Sequence, residues 1–340
     1  MKWFEEKVGQ LLLKKKKGKF EKKGEREQKK KGNGMEGVKD FPTFSLKFPY
    51  PDTNSLFYYS FKLLELLVRI TPFWKEKYIQ FLGWSGYHLD RWRKKVIIAN
   101  LQLAFPSWDE KKRDEVTRQI YRNFAKNLVE FIYTKQITTP EQLEKVVDLS
   151  NLSQLKEKCP GQSIFVTAHF GNWELIPLVI GGFIAPMAVV ARKVDSEKLD
   201  REIVNHRQKF NVEVVYKKGA LGKLVRRIRK GISIGILPDQ NTAKREGIET
   251  KWFNRRVLQN PSPIQLALKF NLPIVVLFTE PTVEDKWQIV IRDRFYPKSV
   301  EEGVHRLAKI MEEEIERYPS YYFWFHKRFK HFYEEVYKGK

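Results

Sequence analysis

A histidine and a glutamate stand five positions apart in the stretch TAHFGNWEL, residues 167–175. His169 ends a β-branched run, SIFVTAH, and Glu174 falls in the first turn of a predicted helix. A tight turn at Gly171 would bring the Glu174 carboxylate to one ring nitrogen of His169, leaving the other nitrogen to take a proton from a hydroxyl. The spacing therefore fits a base and its orienting carboxylate, with the nucleophile supplied by the substrate. By spacing alone, a polar strand end followed by a dipole-favoured helix start is the commoner arrangement.

Short β-branched runs alternate with amphipathic segments after residue 151, which predicts an α/β fold with a mostly parallel sheet flanked by helices. The predicted strands are 163–169, 187–192, 212–216, 232–238, 273–280 and 287–293. The predicted helices are 173–181, 195–209, 219–230, 261–270 and 299–318. In such sheets ligands bind beyond the carboxyl ends of the strands, so we expect the chemistry at that edge.

Polar residues follow several of the predicted strands at that same edge. LPDQ ends the 232–238 strand, and a basic residue ends the 187–192 strand. Residues 241–260 are long, basic and aromatic, which is typical of a flap whose arginines bind phosphates. Taken singly, each of these residues is equally consistent with a turn cap, a helix N-cap or a solvated surface charge. The candidate substrate-binding residues are Asn172, Arg192, Asp239, Gln240, Arg245 and Arg255.

The charge and the cysteine content limit the partners and the kind of site. The formal net charge is +23 over 340 residues, which favours an anionic partner such as nucleic acid, an anionic membrane surface or an acidic carrier protein. The first 34 residues hold 13 Lys and Arg and 5 Asp and Glu, so +15 remains for the rest. A single cysteine, Cys159, excludes an intramolecular disulfide, and six histidines offer no credible zinc cluster.

The N-terminal third predicts a tail followed by helices. Residues 1–40 are Lys-rich and are expected to be disordered. Residues 41–92 are expected to form amphipathic, membrane-associating helices, because Lys62, Glu65 and Arg69 share one helical face while apolar residues cover the rest. This pattern favours an interfacial helix over a membrane span, and its alternative is a helix packed on the protein's own core. The catalytic domain is then expected over residues 93–333.

Five ordered segments carry a family resemblance. HFGNWE (169–174) resembles the H-x4-D/E motif of glycerolipid-type acyltransferases, in the form found in the late lipid A acyltransferases of the lauroyl and myristoyl type. The segments RKKVIIANLQLAFP (93–106), NFAKNLVEF (123–131), LPDQN (237–241) and YPSYYFWFHKRFK (318–330) resemble further motifs of that family, in the same order. Two features depart from the pattern: the flap reads KWFNRR, and the Lys-rich extension is not a family feature.

The resemblance implies a glycerolipid-acyltransferase-like fold and an acyltransferase on the cytoplasmic face of the inner membrane, bound peripherally or by a single pass. The acyl donor would be acyl carrier protein or acyl-CoA, and the acceptor a hydroxyl of a glycolipid such as a lipid A precursor. His169 would be the general base and Glu174 the residue that holds it, with no metal or redox cofactor. Both the carrier protein and anionic lipid headgroups would match the basic charge.

Other functions stay open at this point. The acceptor is alternatively another glycolipid or a phospholipid. A basic nucleic-acid-binding protein would also fit the charge and the aromatic residues, but no zinc-finger, basic-zipper or RRM signature is present. A membrane scaffold with an inactive acyltransferase fold is a further alternative. A serine hydrolase is disfavoured because GWSGY (83–87) does not match G-x-S-x-G.

Overall fold

A seven-stranded sheet forms the centre of the chain in our computed structural model, which describes residues 53–338. The tail predicted for residues 1–40 lies outside the described residues. The sheet order is β1-β9-β8-β2-β5-β3-β4, with β2, β3, β4, β5 and β8 parallel and β9 antiparallel to β8. The strands are β1 (Val147–Asp148), β2 (Ile164–Val166), β3 (Met187–Ala191), β4 (Val212–Tyr216), β5 (Ser233–Ile236), β6 (Ile248–Trp252), β7 (Arg255–Gln259), β8 (Ile274–Pro281) and β9 (Trp287–Phe295).

Helices cover both faces of this sheet. The central strands β2 and β5 are buried on both sides, and for that reason they read as continuous apolar or small-residue runs. The predicted α/β fold with a mostly parallel sheet is confirmed. The helices are α1 (Thr53–Ile70), α2 (Lys75–Leu89), α3 (Arg91–Ala104), α4 (Glu110–Thr134), α5 (Leu152–Lys158), α6 (Leu175–Phe183), α7 (Glu197–Arg207), α8 (Ala220–Ile228), α9 (Ser262–Phe270) and α10 (Val300–Arg317).

The segment predicted as a flap contains a β-hairpin. Strands β6 and β7 pair antiparallel, from Ile248 opposite Gln259 to Trp252 opposite Arg255. The two turn residues, Phe253 and Asn254, both have positive φ, 51° and 57°, as a tight hairpin turn requires. Because the turn reads Phe-Asn, the sequence lacks the Asn-Gly signal from which such hairpins are usually predicted.

Helix α1 packs on the protein through a mixed face. Glu65 is 2% exposed and accepts from Lys62 Nζ at 2.5 Å, Arg69 Nη2 at 2.6 Å and Lys135 Nζ, just after α4, at 2.8 Å. Phe61 and Val68 are buried on the same helix, in a cluster with residues of α2 and α4, whereas Leu63, Leu66, Leu67 and Ile70 are exposed. One side of α1 therefore packs on the protein's own core, as the alternative predicted, and a second apolar side faces outward. Within residues 53–338, no helix has both the length and the apolar character needed to cross a membrane.

The outward side of α1, α2 and the start of α3 carries many large apolar side chains, interspersed with charged residues such as Glu76 and Lys77. We call this the apolar outer surface. Several of its side chains are more than half exposed, which is unusual for clustered large apolar residues in a soluble protein. It consists of Tyr59, Leu63, Leu66, Leu67, Ile70, Phe73, Trp74, Phe81, Trp84, Leu89 and Trp92.

Candidate active site

His169 lies three residues beyond the end of β2, in a turn that is fixed on both sides. Its carbonyl oxygen accepts from Phe323 N at 2.9 Å. Gly171 N donates to Tyr321 O at 3.0 Å, and Asn127 Nδ2 donates to Gly171 O at 2.6 Å. Gly171 has φ +56°, and a Cβ there would lie 2.3 Å from Thr279 O. Only glycine fits this turn without strain, so the local backbone that presents His169 depends on it.

The carboxylate that contacts the imidazole is Asp239. Its Oδ1 lies 2.8 Å from His169 Nδ1, and its Oδ2 accepts from the backbone N of His169 at 3.1 Å. Strand β5 is the direct neighbour of β2, so their carboxyl ends bring the two residues together. The prediction that Glu174 folds back onto the ring is thus corrected: the orienting contact is made by Asp239.

Asp239 is ionised in this arrangement. It is 1% exposed, and burial alone would raise its pKa. The charge and hydrogen bonds of His169, with the charge of Arg328, outweigh burial and lower the pKa below its usual value. An ionised Asp239 accepts the Nδ1 proton, which assigns the neutral imidazole its tautomer and leaves Nε2 as the acceptor.

The Nε2 side of the imidazole is bordered by polar and aromatic groups. Gln240 Nε2 lies 3.4 Å from His169 Nε2. The rings of Trp173 and Phe323 have their centroids 5.2 and 6.0 Å from that of His169. The imidazole itself is 23% exposed, so a substrate hydroxyl can reach it.

Glu174 is bound to Arg207 of α7. Arg207 Nε donates to Glu174 Oε2 at 2.7 Å and Arg207 Nη2 donates to Oε1 at 2.5 Å, which is a forked ion pair. Trp173 Nε1 also donates to Oε1, at 3.1 Å. Burial raises the pKa of Glu174, but the charge and hydrogen bonds of Arg207 outweigh it, so the pKa is lowered. Glu174 therefore reaches His169 only through the indole of Trp173.

Helix α6 begins at Leu175, so Glu174 and not Asn172 takes the N-cap position. Asn172 is buried and donates from Nδ2 to Glu130 Oε2 at 2.9 Å. Through this bond the Asn172 side chain supports the turn that carries His169, and it does not line the candidate active site.

The remaining predicted binding residues are placed differently. Gln240 lies beside His169, as described. Arg255 donates from Nε to Leu103 O at 3.2 Å, and so braces the hairpin against the end of α3. Arg192 is exposed beyond β3, and the side chain of Arg245 is 81% exposed in the loop before β6. The structure thus gathers His169, Asp239 and Gln240 and leaves the three arginines outside that group.

The C-terminal segment 318–330 contributes site residues that sequence reasoning did not identify. Tyr322, Trp324 and Phe329 of this segment are buried, so these rings offer no stacking surface for nucleic acid. His326 Nε2 accepts from Asn241 N at 2.9 Å, and burial lowers the His326 pKa to about 4, so this ring is neutral. Burial and the nearby Asp239 raise the pKa of Tyr322 well above its usual value. The one signal in the sequence was the position of these residues in a family-like motif.

The family model and the related proteins that match this chain point to the same family. The sequence model described as "Bacterial lipid A biosynthesis acyltransferase" matches residues 41–331. The lipid A biosynthesis palmitoleoyltransferase of Escherichia coli (strain K12) is 22% identical over 244 residues, 70% of this chain and 79% of the relative. A lipid A biosynthesis acyltransferase of Haemophilus influenzae is 23% identical over 256 residues, 73% of this chain and 81% of the relative.

Among solved structures, the 1-acyl-sn-glycerophosphate acyltransferase PlsC of Thermotoga maritima matches with 15% identity and a TM-score of 0.35, covering 66% of this chain and 92% of that chain. The family match extends over both the turn that carries His169 and the segment that carries Asp239. The chain therefore belongs to the bacterial lipid A biosynthesis acyltransferase family, and it is an acyltransferase.

Proposed function

We propose that the protein transfers a fatty acyl chain from a thioester donor, acyl carrier protein or acyl-CoA, to a hydroxyl of a glycolipid such as a lipid A precursor. The observation that carries the proposal is the imidazole of His169, held at Nδ1 by the ionised Asp239 and open at Nε2. This is the arrangement of a general base that activates a hydroxyl, and no serine or cysteine nucleophile is needed.

In the proposed reaction, the acceptor hydroxyl gives its proton to His169 Nε2 while its oxygen attacks the thioester carbonyl carbon. Asp239 stabilises the imidazolium that forms, because its carboxylate is already hydrogen-bonded to Nδ1. The tetrahedral intermediate then collapses: the C–S bond breaks, the thiolate leaves and it takes the proton back from Nε2. The products are the acylated lipid and the free thiol. Gln240, at 3.4 Å from Nε2, is placed to orient the incoming hydroxyl.

The role we propose for Glu174 differs from that of the orienting carboxylate. Its forked bond with Arg207 and its bond from Trp173 Nε1 hold the indole against the edge of the imidazole. Glu174 thus acts as a positioning residue that limits rotation of the His169 ring. Arg192, Arg245 and Arg255 are proposed, as the sequence suggested, to contact acceptor phosphates once substrate is bound.

We further propose that the apolar outer surface rests on an anionic membrane, at the cytoplasmic face of the inner membrane. Two features support this proposal. Leu63, Leu66 and Ile70 of α1 are more than half exposed, and only a nonpolar environment or a partner would stabilise such side chains together. Lys77 lies over the Trp74 ring at 5.2 Å, as interfacial tryptophans and lysines combine at the headgroup level.

The experiment that tests the function is acyl transfer by the purified protein, followed by mass spectrometry of the lipid products. His169→Ala should abolish product while the Tm stays near that of the wild type. His305→Gln is the matched control, because His305 is exposed on α10 and bonded to Thr250 of the hairpin instead. Full activity of His169→Ala would refute the mechanism. Acylated phospholipid in place of glycolipid would keep the mechanism and replace the acceptor.

A further inference from the structure

Arg328 is a charged side chain that the mechanism does not use, although it is 1% exposed. Its Nη1 donates to Leu258 O at 2.6 Å and its Nη2 donates to Gln259 Oε1 at 2.5 Å. The guanidinium lies 4.4 Å from the centre of the Trp252 ring. All three partners belong to the β6–β7 hairpin. Burying a guanidinium is costly, and Arg328 Nε has no hydrogen-bond partner among the described residues, so the two Nη bonds and the Trp252 ring are what hold this cation at the hairpin.

The same C-terminal segment also holds the active-site turn. Phe323 N donates to the carbonyl of His169, and His326 Nε2 accepts from Asn241 N, two residues after Asp239. Phe170 and Tyr322 form an antiparallel bridge between the two stretches. Arg328 follows His326 by two residues, so one short segment contacts both the catalytic turn and the hairpin.

The charge of Arg328 complements that of Asp239. Asp239 and Arg328 are both 1% exposed, and the positive charge of Arg328 contributes to lowering the Asp239 pKa. A buried charge that loses a counter-charge is destabilised. Loss of Arg328 should therefore disfavour the ionised form of Asp239.

We propose that Arg328 is a positioning residue that fixes the Asp239–His169 pair in one arrangement with the β6–β7 hairpin. The inference rests on the proposed role of His169 as general base. Its consequence is that the position of the hairpin and the function of His169 are coupled, so that displacing the hairpin also disturbs proton transfer at His169.

The pH dependence of the reaction tests whether the charge of Arg328 acts on Asp239. The titratable and charged groups that face Asp239 are His169 from the turn after β2, and Tyr322, His326 and Arg328 from the C-terminal segment. The charge of Arg328 helps to lower the pKa of Asp239, so removing that charge should raise the pKa. The acidic limb of the kcat/KM profile, on which Asp239 becomes protonated, should then move to higher pH.

The test compares R328M, which removes the charge, with R328K, which keeps the charge but cannot form the fork to Leu258 and Gln259. We expect R328M to lose roughly 10- to 100-fold in kcat/KM and to show the shifted acidic limb. R328K should lose kcat with the limb unmoved. R306M is the matched control, because Arg306 forms a comparable fork with Asp293 on the exposed side of α10. It should leave both kcat/KM and the pH profile unchanged.

A double-substitution cycle completes the test. In a D239N background, R328M should cost little further activity, because the charge that it balances is gone. Additive losses in the cycle, or an unmoved acidic limb in a folded R328M, would overturn the proposal. If R328M does not fold, R328K and Q259L take its place in the test. Both should lower kcat without moving the acidic limb of the kcat/KM profile. A kcat equal to that of R306M in both variants would refute the proposal. Loss of activity in His169→Ala together with wild-type behaviour of the Arg328 variants would refute this inference alone.

Discussion

Asp239→Asn separates the two carboxylates that compete for the role of orienting His169. The substitution keeps the size of the side chain and an oxygen that can accept from the backbone N of His169. It removes the negative charge that accepts from Nδ1 at 2.8 Å. The imidazolium formed in the reaction then has no anion beside it, and the Asn amide can favour the wrong tautomer.

The expected loss follows from this geometry. A hydrogen bond to a charged group contributes about 1.5–3 kcal/mol net. Two unit charges 2.8 Å apart attract by about 6 kcal/mol at an effective dielectric constant of 20, which is an upper limit for the imidazolium–carboxylate pair. A barrier increase of about 3–6 kcal/mol corresponds to a loss of roughly 10²- to 10⁴-fold in rate.

The assay is kcat/KM for acyl transfer at a fixed pH near neutrality, with the Tm as a check of folding. Glu174→Gln is measured in parallel. It keeps an oxygen for Arg207 and a side chain of equal length, and it acts on His169 only through Trp173, so we expect a loss of about 10-fold or less. The opposite order, with a severe loss in Glu174→Gln and near-normal activity in Asp239→Asn, would refute the assignment of Asp239.

Three further predictions concern stability and membrane binding. Gly171→Ala should lower the free energy of unfolding by about 3 kcal/mol, because the new Cβ adds backbone strain at positive φ to a clash with Thr279. Gly161 has φ +88° and no atom within 4 Å of the position that a Cβ would take, so Gly161→Ala should lower it by only about 1 kcal/mol. Burial lowers the pKa of His206 to about 4, so as the pH falls the unfolded chain binds a proton at this residue before the folded protein does. The free energy of unfolding should therefore fall by about 3 kcal/mol between pH 6.5 and 4, and His206→Gln should flatten that dependence. Leu63→Glu combined with Trp84→Glu, at positions 58% and 61% exposed, should weaken flotation with anionic vesicles at least tenfold.

Each of these predictions has a contrary outcome. Equal Tm values for the two glycine variants would remove the steric account of the His169 turn. An unchanged pH dependence in His206→Gln would assign the acid sensitivity to another group. For the membrane, Tyr296→Glu is the control, since Tyr296 is 52% exposed just after β9, at the end of that strand opposite the β8–β9 turn. A loss of vesicle binding equal to that of the double variant would attribute the effect to added negative charge alone.

Most strands and helices after residue 151 could be predicted from the local sequence. The strands and helices after residue 151 lie within a few residues of their predicted positions, because buried parallel strands are continuous β-branched runs and the helices between them are amphipathic. The sequence also indicated where chemistry belongs, at the carboxyl ends of adjacent strands, and it named His169, Asp239 and Gln240 among the candidates. The β6–β7 hairpin was missed because its turn reads Phe-Asn and its strands are short.

Only the tertiary structure decided which of these residues meet. Glu174 is five residues from His169 along the chain, and Asp239 is seventy, yet the pairing of β2 with β5 puts Asp239 on the imidazole. Arg207, from the end of α7, binds Glu174 instead of leaving it to His169, and Lys135 pairs with the buried Glu65 of α1. Sequence periodicity reports which side of an element is apolar. Which groups pair between elements is set by strand order and helix packing, because a buried charge needs a partner of opposite sign and the fold decides which one lies beside it.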